Sequence, residues 1–330
     1  MINRVHNRHR YRSIFYKFHT INKKFKLNHK KEKQFLWIKF PSVIHIEEKY
    51  RQETLSVIEQ IKQSVLDGKK NIGLDFSGTN KIIAPGMIAI YAEIKNMLNV
   101  YPELKFYCKK RVTDKVRQVL TQIGIYNLCR QNNYSKKTTR RDVIYWRVCS
   151  GTGVIVDRIN KVLSEEEKNC LSNIADIYGG CTEATKNALR HAYPTQRRGI
   201  PVDTEKTEWW CFSQVKEGEL TILVCDLGVS IPATIPLTFP DIVNKLKHIG
   251  RNTDADIIKG ALKNPRSISR ESYRGNGLPK MMEVAKAGGK LTIYSRYGVV
   301  QAFDTSIYSK NYPQPLLGTI ISLTLPIGDN

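Results

Sequence analysis

The stretch RGNGLPKMME, residues 274 to 283, places two glycines immediately before a helical pattern. Glycine allows positive φ and close approach of the backbone, while the first-turn N–H groups and the helix dipole favour an anion. The stretch is therefore a candidate phosphate cradle, although Gly-x-Gly also precedes many helices that bind no ligand. The helix should end at Gly288-Gly289, with its buried face formed by Met281, Met282, Val284 and Ala285.

A second candidate group is an acid that follows a buried strand. In LTILVCDLGVSIPATI, the apolar run from Leu220 to Cys225 ends at Asp226 and Gly228, before a turn marked by proline. An acid in this position lies at the rim of a sheet, where it can reach a ligand while its strand stays rigid. A simple turn is the alternative interpretation, because Asp-x-Gly is common.

Three polar residues recur every four positions in CTEATKNALRHAY: Glu183, Asn187 and His191. This spacing places them on one face of a helix. We expect that helix to be interrupted at Gly179-Gly180 and stopped by Pro194, after an earlier start at the capping box Ser164-x-x-Glu167. The face is either a ligand site or an ordinary solvated surface. The residues expected to pack inward are Ala184, Ala188, Leu189 and Ala192.

The order of these segments carries more information than any one of them. The three segments all lie between residues 143 and 330. The same range also contains a polar stretch of some forty residues, which ends at the Gly-x-Gly turn, and a last strand, GTIISLTLP. This order resembles the GHKL ATPases, which include DNA gyrase B subunits, large heat-shock chaperones, histidine kinases, mismatch-repair ATPases and anti-sigma serine kinases. The resemblance implies an α/β fold, the two-layer Bergerat sandwich, with helices on one face of a mixed sheet. ATP would be bound between the helices and a mobile lid.

The same resemblance implies ATP and Mg²⁺ as cofactors and assigns site residues. Asn187 would coordinate the magnesium ion that bridges the phosphates. Asp226 would accept the adenine amino hydrogen, Gly228 would leave space beside the base, and Thr319 would support Asp226 and an adenine-bound water. The segment assigned to the phosphates consists of Arg274, Gly275, Asn276, Gly277 and Leu278.

Glu183 matches the acid that serves as general base in the hydrolysing members of that family. His191 has no assigned role, and a packing or helix-capping histidine is the simpler interpretation. Ser230 departs from the pattern, because the family has a second glycine at this position. We expect the serine to stiffen the turn and to alter the adenine pocket or the lid hinge.

Strand and helix patterns also alternate before residue 130, which indicates a smaller α/β domain. Residues 37 to 129 resemble the STAS fold of anti-sigma-factor antagonists through Asp75-Phe76-Ser77 and Ile83-Ala84-Pro85-Gly86. Ala84 stands where that family has its phosphorylatable serine, so this domain cannot be a phosphoacceptor at that position. An unrelated α/β domain is the alternative.

The composition limits the setting in which this chain works. Its 330 residues are 41% hydrophobic and 25% charged, enough for about two domains, and no apolar run approaches the roughly 18 residues of a membrane span. Seven widely spaced cysteines without a C-x-x-C pair favour neither a disulfide framework nor a zinc site. We therefore expect a cytoplasmic protein with no membrane partner, an Arg-rich organellar transit peptide being the alternative.

The net charge of +23 is concentrated near the start of the chain. Residues 1 to 40 contain twelve Lys or Arg and the single acid Glu32. A basic tail over residues 1–36, with interleaved aromatic residues, could bind nucleic acid without sequence preference or serve only as a solubilising extension. A second basic stretch, 130–142, has no apolar periodicity and is predicted to be the interdomain linker.

Two functional hypotheses follow. The first is an ATP-hydrolysing regulatory switch whose nucleotide state controls the STAS-like domain or a partner. The second is an anti-sigma-like regulatory binding protein or serine kinase that holds ATP and sequesters or modifies a protein partner. A sensor kinase is disfavoured, because no segment resembles a phosphorylated dimerisation helix. An ATP-dependent homodimer remains open in either case.

Overall fold

A computed structural model describes residues 35–131, 138–155, 158, 161–164, 174–203, 207–263 and 277–327. Within these ranges the chain is a mixture of helices and strands, which confirms the α/β class. Several predictions lie outside them. These are the tail up to residue 34, the centre of the linker, the capping-box residue Glu167, and the site residues Arg274, Gly275 and Asn276.

The first half of the chain contains a small parallel sheet, in which strands β1, β3 and β5 lie in that order. A separate two-stranded parallel pair is formed by β2 and β4. The strands are β1 (Leu36–Lys39), β2 (Val43–Ile44), β3 (Asn71–Asp75), β4 (Lys81–Ile82) and β5 (Lys105–Cys108). The helices are α1 (Tyr50–Leu66), α2 (Ala84–Val100), α3 (Asp114–Gln122), α4 (Ile125–Leu128) and α5 (Arg141–Ile144).

The second half contains one five-stranded sheet in the order β6-β7-β8-β10-β9. Its four strand pairings are all antiparallel, whereas the resemblance implied a mixed sheet. The strands are β6 (Arg147–Gly151), β7 (Trp209–Lys216), β8 (Glu219–Asp226), β9 (Lys290–Phe303) and β10 (Ser306–Pro326). The helices are α6 (Ile174–His191), α7 (Ile231–Thr238), α8 (Pro240–His248), α9 (Asp254–Lys263) and α10 (Gly277–Lys286).

Helix α6 runs without interruption through Gly179 and Gly180, so the predicted break at this pair is wrong. A Cβ atom on Gly180 would lie 2.7 Å from Leu323 Cδ1 of the sheet. The glycine therefore serves close packing of α6 against β10 rather than an end of the helix. Ala184 and Ala188 are buried in the same contact, as predicted.

The region after Asp226 is also more regular than predicted. Where we expected a proline-marked turn and a polar loop, α7, α8 and α9 follow one another. Pro232 and Pro240 each lie in the first turn of a helix, where the missing N–H costs no hydrogen bond and the fixed φ suits the helix. These helices share a small core formed by Ile235, Val243, Ile257 and Ala261.

The five-stranded sheet is buried on both faces. Along β8, Ile222 and Val224 point to α6, α9 and α10, whereas Leu223 and Cys225 point to the opposite side and join the core of the first half. Helix α2 packs against β7, β8 and β10 on that side, and α1 also contacts β10. The two predicted domains therefore share one hydrophobic core across this sheet face.

Polar contacts reinforce the packing between the two halves. Arg51 of α1 is fully buried and donates hydrogen bonds to the backbone carbonyls of Ile46, Arg296 and Gln314 at 2.7–3.0 Å. On α2, the Glu93 carboxylate accepts two 2.8 Å hydrogen bonds from Arg197 and forms a 2.8 Å ion pair with Lys62. Lys62, Glu93 and Arg197 are thus buried as ion pairs, whereas Arg51 is buried with backbone carbonyls as its partners.

No helix in the described ranges is long and apolar enough to span a membrane. The six cysteines that the structure describes are all buried and free.

Candidate functional site

Helices α6 and α10 bring three of the predicted site residues together. A Cβ atom on Gly277 would lie 3.0 Å from Glu183 Oε2 and 3.4 Å from Asn187 Oδ1. Gly277 is the first residue of α10, and both polar side chains come from the predicted face of α6. The glycine thus allows α10 to approach the polar side chains of α6 closely, where a Cβ atom would crowd Glu183.

This contact combines a carboxylate, an amide and the first turn of α10 that the structure describes. The positive end of the α10 dipole lies beside Asn187, which adds an amide oxygen and an amide N–H donor without adding charge. Glu183 is the only acid in the contact described above, and its Oε1 pairs with Lys186 Nζ at 2.9 Å. The next residue, Leu278, is partly buried and packs against two hydrophobic cores.

Asp226 is the last residue of β8 and lies opposite Thr319 of β10. It is only 9% exposed, and its carboxylate accepts hydrogen bonds from the backbone N–H of Gly228, at 2.9 Å, and from that of Thr319. Burial raises the pKa of Asp226 to about 7, and the two N–H groups only partly oppose that rise. A buried acid that titrates near neutral pH at the rim of a sheet is a common feature of ligand sites.

The turn after Asp226 docks directly on the end of α6. A Cβ atom on Gly228 would lie 2.0 Å from the Ala192 carbonyl oxygen, so no other residue fits there without a shift of the backbone. The Val229 N–H also donates to this carbonyl, at 2.8 Å. Asn187 lies five residues before Ala192, which is about 7.5 Å along a helix axis. The amide and the buried acid are therefore held at fixed positions near one helix.

Two residues that sequence reasoning missed complete the surroundings of Asp226. Ser295 Oγ lies 2.9 Å from Thr319 Oγ1 and accepts the Ile231 N–H at 3.0 Å. Tyr193 OH accepts the Leu227 N–H at 3.1 Å and donates to the Glu208 carbonyl at 2.7 Å. Ser295 could be found only from the pairing of β9 with β10, since nothing in its local sequence distinguishes it.

Ser230 has an unusual backbone, with φ of 89° and ψ of 155°. Its side-chain hydroxyl is buried and has no hydrogen-bond partner within the described part of the chain. His191, by contrast, is exposed at the last residue of α6 and is not part of either polar group.

Two cavities in the described part of the chain are lined by residues other than these predicted site residues. One of about 680 Å³ is bordered by Asn96 and Asn99 of α2 and by Tyr193, Glu208 and Trp210, on the side of the sheet that packs against the first half. Glu183, Asn187 and Asp226 line neither this cavity nor the smaller one between α1, α2 and β10. We therefore identify the site by its side chains rather than by cavity volume.

The residues present are compatible with a nucleotide and magnesium. The described ranges contain no group of three or more His, Cys, Asp or Glu able to hold a metal ion. Mg²⁺ requires no such group, because it takes most of its oxygens from phosphates and water. Asn187 Oδ1, which lies close to Gly277 at the described start of α10, would supply one such oxygen.

Neither a scan against protein-family models nor a search of curated proteins gives a match for this chain.

Proposed function

We propose that this protein is an ATP-binding and ATP-hydrolysing regulatory switch of the GHKL type. The observation that carries the proposal is the convergence of Glu183, Asn187 and the first residue of α10, which are separated by about ninety residues of sequence. An amide oxygen can serve as a ligand of phosphate-bound Mg²⁺, a helix N-terminus favours phosphate, and an acid can orient the attacking water.

In this proposal, the phosphates lie at the N-terminus of α10. Gly277 and Leu278 offer backbone N–H groups there, and Asn187 orients Mg²⁺ from α6. The bound Mg²⁺ would neutralise charge on the phosphates. Arg274, Gly275 and Asn276 belong to the same segment and are proposed to extend the phosphate contacts.

The base is proposed to lie against Asp226. A carboxylate at the rim of the sheet can accept the adenine amino hydrogen, and the two backbone N–H groups hold it in one orientation. Thr319 lies opposite Asp226, and the contact of Gly228 with Ala192 fixes the turn beside the base. The Bergerat sandwich is the arrangement that this assignment requires of the second half.

Glu183 is the proposed general base for hydrolysis. It would orient a water molecule and accept its proton as the water attacks the terminal phosphate. Lys186 fixes one carboxylate oxygen of Glu183, while Oε2 is directed at the position next to Gly277. The free oxygen is thus the one closest to the proposed phosphate site.

The first half is proposed to respond to the nucleotide. Cys225 and Leu227 flank Asp226 and belong to the core that the two halves share. Arg197, which lies between α6 and β7 in the sequence, is bound by Glu93 of α2. The response should be conformational, because Ala84 is buried and has no hydroxyl to phosphorylate.

A second candidate is a regulatory protein that holds ATP with little turnover, in the manner of an anti-sigma factor or of a serine kinase awaiting its substrate. The ion pair between Glu183 and Lys186 favours it, because one carboxylate oxygen of Glu183 is already engaged. Such a protein could also form an ATP-dependent homodimer.

The deciding experiment combines calorimetry of MgATP binding with a steady-state ATPase assay, with and without added DNA or RNA. The proposed switch binds MgATP and turns it over, whereas the holding protein binds MgATP without turnover. Removal of residues 1–34 tests the tail separately. If the tail binds nucleic acid, its removal should flatten the steep salt dependence of DNA and RNA affinity.

A further inference from the structure

Ser230 occupies a backbone conformation that serine rarely adopts. Its φ of 89° with ψ of 155° lies in a region that is essentially restricted to glycine. Side chains persist in such regions only when their surroundings impose the conformation, and these residues concentrate at ligand-binding sites. The surroundings of Ser230 must therefore impose this strained backbone conformation.

The Ser230 hydroxyl does not make the capping hydrogen bond that is usual for a serine at the start of a helix. Ser230 is the N-cap residue of α7, where a serine hydroxyl normally accepts a backbone N–H from the first turn. No such bond is present, and the Ser230 carbonyl alone accepts the N–H groups of Ala233 and Thr234, each at 3.2 Å. The residue is 4% exposed, and its hydroxyl is without a partner among the described residues. A buried hydroxyl in this state is costly, which favours a partner that is not part of the protein.

The residues on either side of Ser230 are bonded to the cluster around Asp226. The N–H of Ile231, the next residue, donates to Ser295 Oγ, and Ser295 Oγ contacts Thr319 Oγ1. On the other side, the Gly228 N–H donates to Asp226. The unpartnered hydroxyl is thus placed within the turn that is proposed to hold the base.

We propose that Ser230 is a specificity-determining residue that hydrogen-bonds the edge of the nucleobase, an inference that rests on the proposed ATP site. Adenine presents an amino donor next to a ring-nitrogen acceptor. Asp226 takes the amino hydrogen, and the Ser230 hydroxyl donates to the neighbouring ring nitrogen. Guanine presents the reverse order, an oxygen acceptor next to an N–H donor, so the pair of residues favours ATP over GTP. A side chain at this position therefore supplies a contact that glycine could not.

Two variants separate recognition from strain. Ser230→Gly removes both the hydroxyl and the strain, whereas Ser230→Ala removes the hydroxyl and keeps the Cβ atom. Both should weaken ATP binding by about 3- to 10-fold, the value of one neutral hydrogen bond, and should narrow the preference for ATP over GTP. Ser230→Gly should also raise the Tm by a few degrees, because a strained residue and a buried unpaired hydroxyl are removed together.

The ring nitrogen is tested with 1-deaza-ATP, which lacks it. The wild-type protein should bind 1-deaza-ATP about 3- to 10-fold more weakly than ATP, and Ser230→Ala should bind the two nucleotides alike. Variants that bind ATP as tightly as the wild type, with a raised Tm for Ser230→Gly, would show that Ser230 is strained without a role in recognition. A folded wild-type protein that binds no ATP overturns the ATP site itself, and this inference with it.

Discussion

A buried acid lies at each face of the five-stranded sheet, and the two acids differ in their partners and in the direction of their pKa shifts. On the face toward the first half, Glu93 lies between Lys62 and Arg197, and these cations hold the pKa of Glu93 below its ordinary value despite complete burial. On the face toward α6 and α10, Asp226 has two backbone N–H partners and no ion pair in the described ranges, and burial raises its pKa to about 7. In the first arrangement two cations neutralise the carboxylate, whereas in the second the carboxylate can still accept a hydrogen bond from a ligand.

The same difference extends to the neighbouring residues. Around Glu93, the amide of Asn96 donates to the Pro201 carbonyl and the guanidinium of Arg197 also reaches the Ile200 carbonyl. Around Asp226, the Ser230 hydroxyl is buried and has no partner in the described ranges. We infer that the face toward the first half is built for cohesion, and we propose that the other face is built for binding. The predictions below test this contrast.

The largest effect is expected at Glu183. If it is the general base, Glu183→Gln should lower kcat by about 10² to 10⁴ while sparing ATP binding, because the amide cannot accept the proton of the attacking water. Steady-state ATPase assays and calorimetry measure the two properties. Glu219→Gln is the matched control, since Glu219 is an exposed acid at the start of β8. Equal losses in the two variants would remove Glu183 from the catalytic role.

Breaking the paired acid should destabilise the protein. Glu93→Gln leaves Lys62 and Arg197 buried without their carboxylate, and we expect the free energy of unfolding to fall by about 3–5 kcal/mol in urea titrations. Glu59→Gln is the control, because Glu59 pairs with the same Lys62 at 3.2 Å but is 65% exposed. That change should cost less than about 1 kcal/mol. A Glu93 variant as stable as the Glu59 variant would contradict a cohesive role for this face.

The unpaired acid should make stability depend on pH. The pKa of Asp226 rises from 3.8 in the unfolded chain to about 7 in the folded protein, so its contribution is fully present below pH 4 and is lost as pH rises toward 7. The wild type should lose about 1.4 kcal/mol per pH unit across this window, relative to Asp226→Asn. Urea unfolding at several pH values measures the difference. Parallel pH profiles for the two proteins would mean that Asp226 ionises as an ordinary acid.

Two adjacent glycines test how closely α6 approaches the sheet. Gly180→Ala places a methyl group 2.7 Å from Leu323 Cδ1 and should cost about 1–3 kcal/mol through overpacking. Gly179→Ala meets only the flexible end of Lys280, at 3.4 Å, and should stabilise the helix by up to about 1 kcal/mol. Thermal unfolding of both variants reads out the signs. A stabilising Gly180→Ala would show that α6 has room to move on β10.

Local sequence patterns predicted much of the fold. The period of the apolar residues predicted the buried face of α10, with Met281, Met282, Val284 and Ala285, and the apolar run after Glu219 predicted a strand that ends at Asp226. The glycine pair in α6 misled the prediction, because a glycine needed for close packing looks the same as one that ends a helix. Pro232 and Pro240 misled it similarly, since proline both marks turns and begins helices.

No local sequence pattern could predict the register of paired strands or the packing of segments that are distant in the sequence. Ser295 meets Thr319 only because β9 pairs with β10 across a register shift near residues 311–319. In the sequence, nothing distinguishes Glu93 from other acids. Its partner Arg197 lies about a hundred residues later and is identified only by the fold. The resemblance to GHKL ATPases supplied the candidate residues, and geometry brings Glu183, Asn187 and Gly277 into contact. Their roles stay predictions.

The most direct test of the proposed binding face is calorimetric titration of MgATP into the wild type, Asp226→Ala and Asn187→Ala, each checked for folding by circular dichroism. We predict saturable binding by the wild type, no detectable binding by folded Asp226→Ala, and a loss for Asn187→Ala that is larger with Mg²⁺ than without it. A folded wild-type protein that gives no binding heat, or an Asp226→Ala variant that binds MgATP as the wild type does, would contradict the account.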